Sequence, residues 1–497
     1  MAKKYIAFFM AIAMLFTCLA GCTASQSDND NAQEVTEQPT AKITDSTTFK
    51  LSYTKGDSLD PFKAKTQNNQ VLATLVFESL FDLDESYEPV NNIATGYEFV
   101  DGKTLKVDIS PNIKFSDGSS LDTSDVAYSF RAAKKSPAYK NSLQYIDSVS
   151  EDSGSVIFYL DRENPYAVNL LTFPIASTED DKEGYPVGSG RYKYETSDGK
   201  TVLTANVSDS FDPYITTVNL VNIAAADSID NAVNIGNISY AFRDLSSSVS
   251  KRMSCAKKLV NMNNLVYIGV NSMSGITANP QIRRAISLAA DRSTFAESAY
   301  SGYASIAPSP FNPAGKIAEN IKIFSDEADI TTARQAITQS GEKAKDLKLT
   351  ILVNKNNNRT AVAALLKSQL EAVGFSVDIE TLSAKEYTAK IKAVDFDIYI
   401  GEVKLSDDMS LYPFFDKKGG TRYGIDSETI KCDDLYTDYL SGDADLGSFI
   451  LAFNEELPFI PLVYKKGMIC YSKAMNGDMQ GYYGNFFSNI DTWNFIS

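Results

Sequence analysis

The chain has 497 residues, a formal net charge of −16 and no histidine. Its length exceeds what one ordinary hydrophobic core can organise, so we expect two or three lobes. The missing histidine excludes a Ser-His-Asp triad and histidine ligands for nickel, zinc or haem. The acidic balance argues against nucleic acid as a partner, because phosphate contacts need clustered Lys and Arg.

The N-terminal segment has the pattern of a bacterial secretory signal. Two lysines precede the apolar run Tyr5–Leu19, which is too short to span a membrane, and the Leu-Ala-Gly-Cys sequence ending at Cys22 resembles a lipobox. We predict a lipoprotein signal peptide over residues 1–21 and lipidation of Cys22, with an uncleaved anchor helix as the alternative. Residues 22–46 are rich in polar side chains and predict a disordered tether.

The folded body begins with the alternating strand pattern of Phe49, Leu51 and Tyr53. The next segment, Lys55–Phe62, contains a GDSL string like the nucleophile block of lipase-like hydrolases. That interpretation fails, because such enzymes need a catalytic histidine and the chain has none.

The segment Leu105–Arg131 predicts a strand, a turn, a second short strand, a tight turn and a helix. Apolar and polar residues alternate over 105–109, Asp117-Gly118 marks the tight turn, and Asp122 is a favourable helix N-cap.

This segment also resembles the signature of the family 5 extracellular solute-binding proteins, the peptide, dipeptide and nickel receptors of bacterial ABC importers. The residues that match the signature are Phe115, Asp117, Gly118, Asp125, Val126, Ser129 and Phe130. Further short matches stand in the family's order at Leu59–Pro61, Phe77–Leu80, Pro186–Tyr192, Arg283–Arg292, Val373–Phe375 and Pro458–Leu462. The resemblance therefore covers residues 49–497.

Several of these matches carry predictions of local structure. Gly188 and Gly190 are expected to allow a positive-φ turn. A helix is predicted within Asn279–Arg292, with an Asp291–Arg292 ion pair at its end and Thr294 as the cap of a second helix. Elsewhere, periodicity predicts strands at Val156–Leu160, Leu265–Asn271, Leu347–Val353, Phe375–Ile379 and Phe396–Ile400, and a helix over Ala361–Val373.

The resemblance implies an α/β fold of two lobes, a clamshell like that of periplasmic binding proteins of type II, with mixed sheets flanked by helices. An extra subdomain is expected in the first lobe. Lobe I should comprise residues 47–85, 185–268 and 465–497, the extra subdomain residues 86–184, and lobe II residues 269–464.

The function that the resemblance implies is that of a substrate-binding lipoprotein of an ABC importer. Such a protein, lipid-anchored on the extracytoplasmic face of the cell membrane, would capture an oligopeptide or peptide-like solute in the cleft between its lobes and deliver it to a membrane permease. We expect a monomer that catalyses no reaction and uses no cofactor or metal.

The resemblance also implies a ligand site, with one departure from the family pattern. In peptide receptors of this family an aspartate after a strand binds the peptide's ammonium group, and Lys404 falls where that aspartate would be. Either Glu402, Asp407 or Asp408 replaces it, or the ligand offers an anionic group to Lys404. The residues predicted to bind ligand are Thr66, Gln67, Asn68, Asn69, Glu402, Val403, Lys404, Asp407, Asp408, Tyr482, Tyr483, Asn485 and Phe486.

Two other functions remain open from the sequence. Ser-x-x-Lys strings at Ser52–Lys55 and Ser248–Lys251 would suit a cell-surface hydrolase, and a sensor could reuse the receptor fold without transport. The cysteines beyond the signal region, Cys255, Cys432 and Cys470, show no metal-binding spacing; they could form one disulfide or remain buried thiols.

Overall fold

The computed structural model describes residues 48–225, 228–245, 254–416 and 419–495. The predicted signal peptide over residues 1–21, the predicted tether over 22–46 and the Ser248–Lys251 string all lie outside these described residues.

Most of the strands are short, and two of them, β14 and β19, are much longer than the others. The strands are β1 (Phe49–Tyr53), β2 (Phe81–Leu83), β3 (Pro89–Asn91), β4 (Ala94–Asp101), β5 (Thr104–Ile109), β6 (Ile146–Asp152), β7 (Ser155–Leu160), β8 (Ala176–Asp180), β9 (Pro186–Gly188), β10 (Tyr192–Ser197), β11 (Lys200–Ala205), β12 (Thr217–Asn222), β13 (Tyr240–Arg243), β14 (Ala256–Val270), β15 (Ala304–Ile306), β16 (Lys348–Asn354), β17 (Ser376–Leu382), β18 (Ile398–Lys404), β19 (Phe459–Tyr471), β20 (Met475–Asn476) and β21 (Asn494–Phe495).

The helices flank these strands. They are α1 (Gln67–Val76), α2 (Thr123–Ala133), α3 (Ile229–Asn234), α4 (Pro280–Ala289), α5 (Arg292–Thr294, continued by a π-helical turn at Phe295–Ala299), α6 (Ile330–Ser340), α7 (Asn357–Val373), α8 (Ala384–Lys392), α9 (Tyr412–Phe415), α10 (Cys432–Ser441) and α11 (Leu446–Glu456). Within the described part of the chain, no helix has the length and apolar character needed to cross a bilayer.

One large mixed sheet runs through the described residues. Its strand order is β10-β11-β12-β1-β13-β19-β14-β18-β16-β17, with β15 also paired to β19. Pairing is parallel between β1 and β12 and between β16 and β17, and antiparallel between β14 and both of its neighbours. A separate antiparallel sheet has the order β4-β5-β7-β6.

Two large hydrophobic cores lie along this sheet. The first core draws on residues 49–262 and 469–493, and the second is built mainly from residues 265–464. Strands β14 and β19 pass from one core to the other, and their pairing shifts register between Asn261 and Leu265. Because a register shift locally disrupts the ladder and kinks the shifted strand, regular pairing is interrupted where the sheet passes from one core to the other.

The family signature forms structure around the first core. Asp122 caps α2, as the sequence predicts, and the structure adds a capping box with Asp125. Phe130 packs edge-on against Phe158 at 5.4 Å. The expected second short strand is reduced to an isolated bridge between Lys114 and Ser120, because the tight turn leaves no length for a ladder.

The prediction at the end of α4 is wrong in its details. Asp291, not Thr294, is the cap, because its side chain accepts a hydrogen bond of 2.8 Å from the Thr294 backbone N–H. The buried Arg292 guanidinium turns away from Asp291 and donates to backbone carbonyls, including that of Pro461 at 2.9 Å. The Arg292 side chain therefore joins α5 to β19.

At the end of β9, the Gly-x-Gly turn needs glycine because the backbone of α1 approaches it closely, and not because of the positive φ that we predicted. Neither Gly188 nor Gly190 is among the positive-φ glycines of the described residues. A Cβ on Gly188 would stand 2.1 Å from the Val76 carbonyl oxygen, and one on Gly190 would stand 2.5 Å from the Val76 carbonyl carbon. Gly190 N–H also donates to that oxygen at 2.9 Å, so the turn is fastened to the end of α1.

The three cysteines of the described residues are free thiols in this structure. Cys432 and Cys470 are buried and Cys255 is half-buried. Of the two possibilities that the sequence leaves open, the structure shows the unpaired one.

Candidate ligand-binding site

A cavity of about 200 Å³ opens where the two cores meet. Lys404, at the end of β18, and Asp407 reach it from the side of the second core, and most of the remaining lining comes from segments that build the first core. The lining residues are Gln67, Gln70, Val71, Thr74, Ser79, Asp82, Leu83, Ala138, Tyr139, Ser142, Leu143, Leu170, Thr172, Phe242, Lys404, Asp407, Tyr483, Gly484, Asn485 and Phe486. We call this volume the Lys404 section.

A neighbouring cavity of about 240 Å³ continues from it toward Arg191 and Glu78. We call this volume the Arg191 section. The residues that line both sections are Gln70, Thr74, Ser79, Asp82, Tyr139, Thr172, Gly484 and Asn485. The two sections therefore form one continuous cleft with charged side chains at both ends.

A tight turn near the C-terminus connects the charged groups. Tyr482 and Asn485 form an isolated bridge, and Gly484 between them has a φ of 92°, a conformation that favours glycine. Tyr483 places its hydroxyl 2.5 Å from Lys404 Nζ, and Asn485 Nδ2 donates to Asp82 at 3.0 Å. The turn thus contacts both a cation and a carboxylate of the cleft.

The Lys404 side chain points into the cavity, where other parts of the protein surround it. Its side chain is exposed, and its Nζ lies 4.4 Å above the Tyr483 ring. Burial alone would lower the pKa of Lys404, but interactions with Tyr483 and Asp407 outweigh it and raise that pKa. The ammonium group is therefore fully charged at neutral pH.

The carboxyl groups of the cleft lie where burial disfavours their charged form. Burial raises the pKa of Asp407 to about 6, partly offset by the positive charge of Lys404. Burial also raises the pKa values of Asp82 and Glu78, despite the nearby Arg191 guanidinium. Arg191 itself donates to the backbone carbonyls of Phe487 and Ser488 at 2.7 and 3.1 Å.

Six of the residues predicted to bind ligand line the cleft, and they come from three separate parts of the chain. They are Gln67, Lys404, Asp407, Tyr483, Asn485 and Phe486.

The other predicted residues of the polar loop and of α1 make structural hydrogen bonds. Thr66 donates its hydroxyl to Asp57 at 2.7 Å. Asn68 Nδ2 donates to the Ile223 carbonyl at 3.0 Å, and the buried Asn69 binds backbone groups of Thr54. These contacts fix the start of α1.

The remaining predicted residues also face away from the cavity lining. Glu402 pairs with Lys465 at 2.9 Å, and Val403 lies in the ladder between β14 and β18. The buried Asp408 accepts from Ser406, Asn164 and the Ser410 backbone, while Tyr482 closes the turn as a half-buried residue.

Several residues that line the cleft were not predicted from the sequence, chiefly Gln70, Thr74, Asp82, Tyr139 and Thr172. One signal pointed toward them. Gln70 and Thr74 follow Gln67 at helical spacing on α1, so the face that carries one cleft residue also carries the next two. Asp82 gave no such signal, because its place in the cleft depends on a partner 403 positions away.

The Glu402–Lys465 pair yields a stability prediction. Both side chains are largely buried, with 19% and 4% exposure. Glu402→Gln should lower the free energy of unfolding by about 2 kcal/mol, because a buried ammonium loses its counter-charge. Urea denaturation measures this effect. Glu98→Gln, at an exposed pair with Lys106, is the control and should change stability by less than about 0.5 kcal/mol; equal effects in the two variants would contradict the prediction.

The Asp407 carboxyl yields a pH prediction. Because its pKa is about 6 in the folded protein and 3.8 ordinarily, the folded state binds this proton more tightly than the unfolded chain does. Its contribution to stability is therefore present at pH 4 and is lost as the pH rises through 6. Asp407→Asn should be more stable than the wild type by about 1–2 kcal/mol at neutral pH, and this difference should vanish near pH 4. A pH-independent difference between the two proteins would refute this.

The Ser-x-x-Lys string at Ser52–Lys55 lies apart from the cleft. Ser52 is buried within β1 and pairs in register with Val221 of β12. Neither residue of the string lines the Lys404 section or the Arg191 section.

Comparison with known proteins gives the chain a family. The sequence model of the bacterial extracellular solute-binding proteins, family 5 Middle, matches residues 88–422. The chain is 24% identical over 363 residues to the glutathione-binding protein GsiB of Pectobacterium atrosepticum, covering 67% of this chain and 69% of that protein. It is 22% identical over 466 residues to the oligopeptide-binding protein AppA of Bacillus subtilis, covering 83% of each.

The fold agrees with solved structures. The ABC transporter substrate-binding protein CtaP of Listeria monocytogenes matches with a TM-score of 0.69 at 18% identity, covering 90% of this chain and 99% of that one. The predicted two-lobed α/β clamshell is thereby confirmed as the fold. On the family model, which matches more than half of the sequence, the chain belongs to the family 5 bacterial extracellular solute-binding proteins.

Proposed function

We propose that this protein is the lipid-anchored receptor of an ABC importer, which captures an oligopeptide or a peptide-like solute and delivers it to a membrane permease. The observation that carries the proposal is the cleft between the two cores, with Lys404 at one end and Glu78 and Arg191 at the other. Opposite charges in a partly apolar cleft suit a small polar solute with groups of both signs.

The relatives support a peptide-like solute. Two of them are named for binding glutathione and oligopeptides, and glutathione is itself a modified tripeptide. The backbone of an extended peptide can pair with polar groups of a cleft, and this mode of binding tolerates many side chains.

The proposed protein performs no catalysis. Its task is to bind when the lobes close on the solute and to release when they open, and such a hinge motion needs no bond-making step. The register shift between Asn261 and Leu265 in the strands that join the two cores supports bending at that point.

Membrane attachment is proposed through a diacylated Cys22, with residues 22–46 as a tether that holds a monomeric body clear of the bilayer. Fatty-acid labelling of the full-length chain in a bacterial host should mark the wild type, whereas Cys22→Ser should carry no label and leave the membrane fraction. Label retained by the variant would refute the anchor.

A thermal-shift screen tests the ligand class. The full-length protein in detergent is heated with pools of oligopeptides, amino-acid derivatives and sugars, because a ligand that binds only the folded state raises Tm. We expect the oligopeptide pool to raise Tm and the sugar pool to leave it unchanged. A shift with sugars alone would overturn the peptide assignment.

A further inference from the structure

The ends of the cleft differ in charge, and this difference sets an orientation for the ligand. Lys404 and Asp407 line only the Lys404 section, whereas Glu78 and Arg191 line only the Arg191 section, and Asp82 lies on the wall that both share. A ligand long enough to occupy both sections therefore meets different charges at its two ends.

At the Lys404 end the more accessible charge is positive, because Lys404 is exposed whereas Asp407 on the same wall is half-buried. Among the described residues no carboxylate oxygen lies within salt-bridge distance of Lys404 Nζ, and its hydrogen-bond partner there is the Tyr483 hydroxyl. An ammonium has three donors, so two stay available to a ligand. The side chain is exposed to the cavity, and Asp407 on the same wall offsets its charge without a direct ion pair.

Toward the Arg191 end two carboxyl groups, those of Glu78 and Asp82, line the section together with the single guanidinium of Arg191. Arg191 donates from Nη1 to the carbonyls of Phe487 and Ser488, and among the described residues it forms no direct ion pair with Asp82 or Glu78. Asp82 accepts from Asn485 on one oxygen and from Ser79 on the other, and Asn92 also hydrogen-bonds to this carboxyl group. A carboxylate offers about four acceptor positions, so acceptor capacity remains for a ligand. A cationic group of the ligand would meet carboxylates that lack a direct cationic partner.

We propose that the ligand is a zwitterion held in one orientation, with its carboxylate on Lys404 Nζ and the Tyr483 hydroxyl, and its ammonium group on Asp82 and Glu78. This proposal rests on the proposed function and narrows it to peptides with both termini free. It reverses the polarity that the resemblance implies at position 404, where an aspartate would bind the ammonium group.

The experiment uses a random tripeptide library made in three forms, with free termini, with C-terminal amides and with N-terminal acetyl groups. Apparent Kd values are measured by calorimetry for the full-length protein in detergent. We expect the amide and acetyl libraries each to bind at least about tenfold more weakly than the free library, because each lacks one charge-assisted contact.

Variants test the two ends of the cleft separately. Lys404→Gln should bind the free library more weakly than the wild type does, and it should bind the free and amide libraries with equal affinity. Lys404→Arg should keep the preference for a free carboxylate. Asp82→Asn should reduce the discrimination against acetylated peptides. Lys392→Gln, at an exposed residue of α8, is the matched control and should bind as the wild type does.

The outcomes separate this proposal from the broader one. Binding of the free and amide libraries with equal affinity by the wild type would overturn the zwitterion orientation and leave the peptide function standing. A Lys404→Gln variant that still prefers the free carboxylate would also overturn it. If none of the three libraries binds, the peptide function itself fails, and this orientation fails with it.

Discussion

Replacing Arg162 with alanine is expected to weaken ligand binding by about ten- to hundredfold, although Arg162 lies outside both sections of the cleft. The Arg162 guanidinium stands 4.2 Å from the ring centres of both Tyr145 and Tyr412. It also pairs with Asp161 at 2.8 Å and with Asp416 at 2.6 Å. Arg162 therefore joins the segment before β8 to the region around α9 of the second core.

Neighbouring contacts cross the same boundary. Asn164 Nδ2 donates to Asp408 at 2.8 Å, and the hydroxyls of Tyr166 and Tyr439 lie 2.5 Å apart. Since these contacts join the two sides of the cleft, they stabilise the arrangement of the two sides that this structure shows. Removing Arg162 lowers the population of that arrangement, and apparent affinity falls in proportion to it.

Calorimetry with the free tripeptide library measures the effect of Arg162→Ala, and small-angle scattering should show a larger radius of gyration for the unliganded variant. Lys316→Ala is the matched control, because Lys316 also pairs across the boundary, with Glu88 at 3.4 Å, but both side chains are largely exposed. Unchanged affinity and unchanged radius in Arg162→Ala would show that this contact does not control closure.

Trp493→Ala should produce the largest loss of stability, about 4 kcal/mol. Trp493 is fully buried and is the only tryptophan of the chain. Its ring lies 5.2 Å from that of Tyr240 and 6.2 Å from that of Phe49, and its Nε1 donates to Asn489 at 2.8 Å. These contacts hold the C-terminal segment, which carries the Tyr483 turn of the cleft, against β1 and β13.

Urea denaturation followed by circular dichroism measures this loss, and hydrogen exchange over residues 482–485 should become faster in the variant. Trp493→Phe keeps most of the buried ring and should lose about 1–2 kcal/mol. Tyr214→Ala, at a side chain that is 75% exposed, should change stability by less than about 0.5 kcal/mol. An equal, small effect of Trp493→Ala would mean that the segment is held by other contacts.

The sequence predicted local elements correctly where one face of a strand or helix is buried. The alternation at Leu105–Ile109 predicted β5, and the alternation at Leu347–Val353 predicted β16 with a shift of one residue. Asp122 was predicted as a cap and is one. Each of these features depends on neighbours within a few positions, and the sequence displays such neighbours directly.

Features that depend on residues far away in the chain could not be predicted from the sequence. Gly188 and Gly190 were predicted as turn glycines, but their reason is the backbone of Val76, which the sequence cannot place beside them. Glu402 was predicted to face a ligand, and its partner is Lys465, brought close by strand pairing in the large sheet. Such tertiary contacts set the direction of each side chain in a cleft. The family pattern therefore located the end of β18 in the cleft but did not predict the role of each residue there.

A crystal structure of the protein bound to the tightest-binding tripeptide of the library would show whether the cleft between the two cores is the ligand site. We expect the peptide in the continuous cleft, with its carboxylate within hydrogen-bond distance of Lys404 Nζ and its ammonium group beside Asp82. A peptide bound elsewhere on the protein, with the cleft between the two cores empty at saturating concentration, would contradict it.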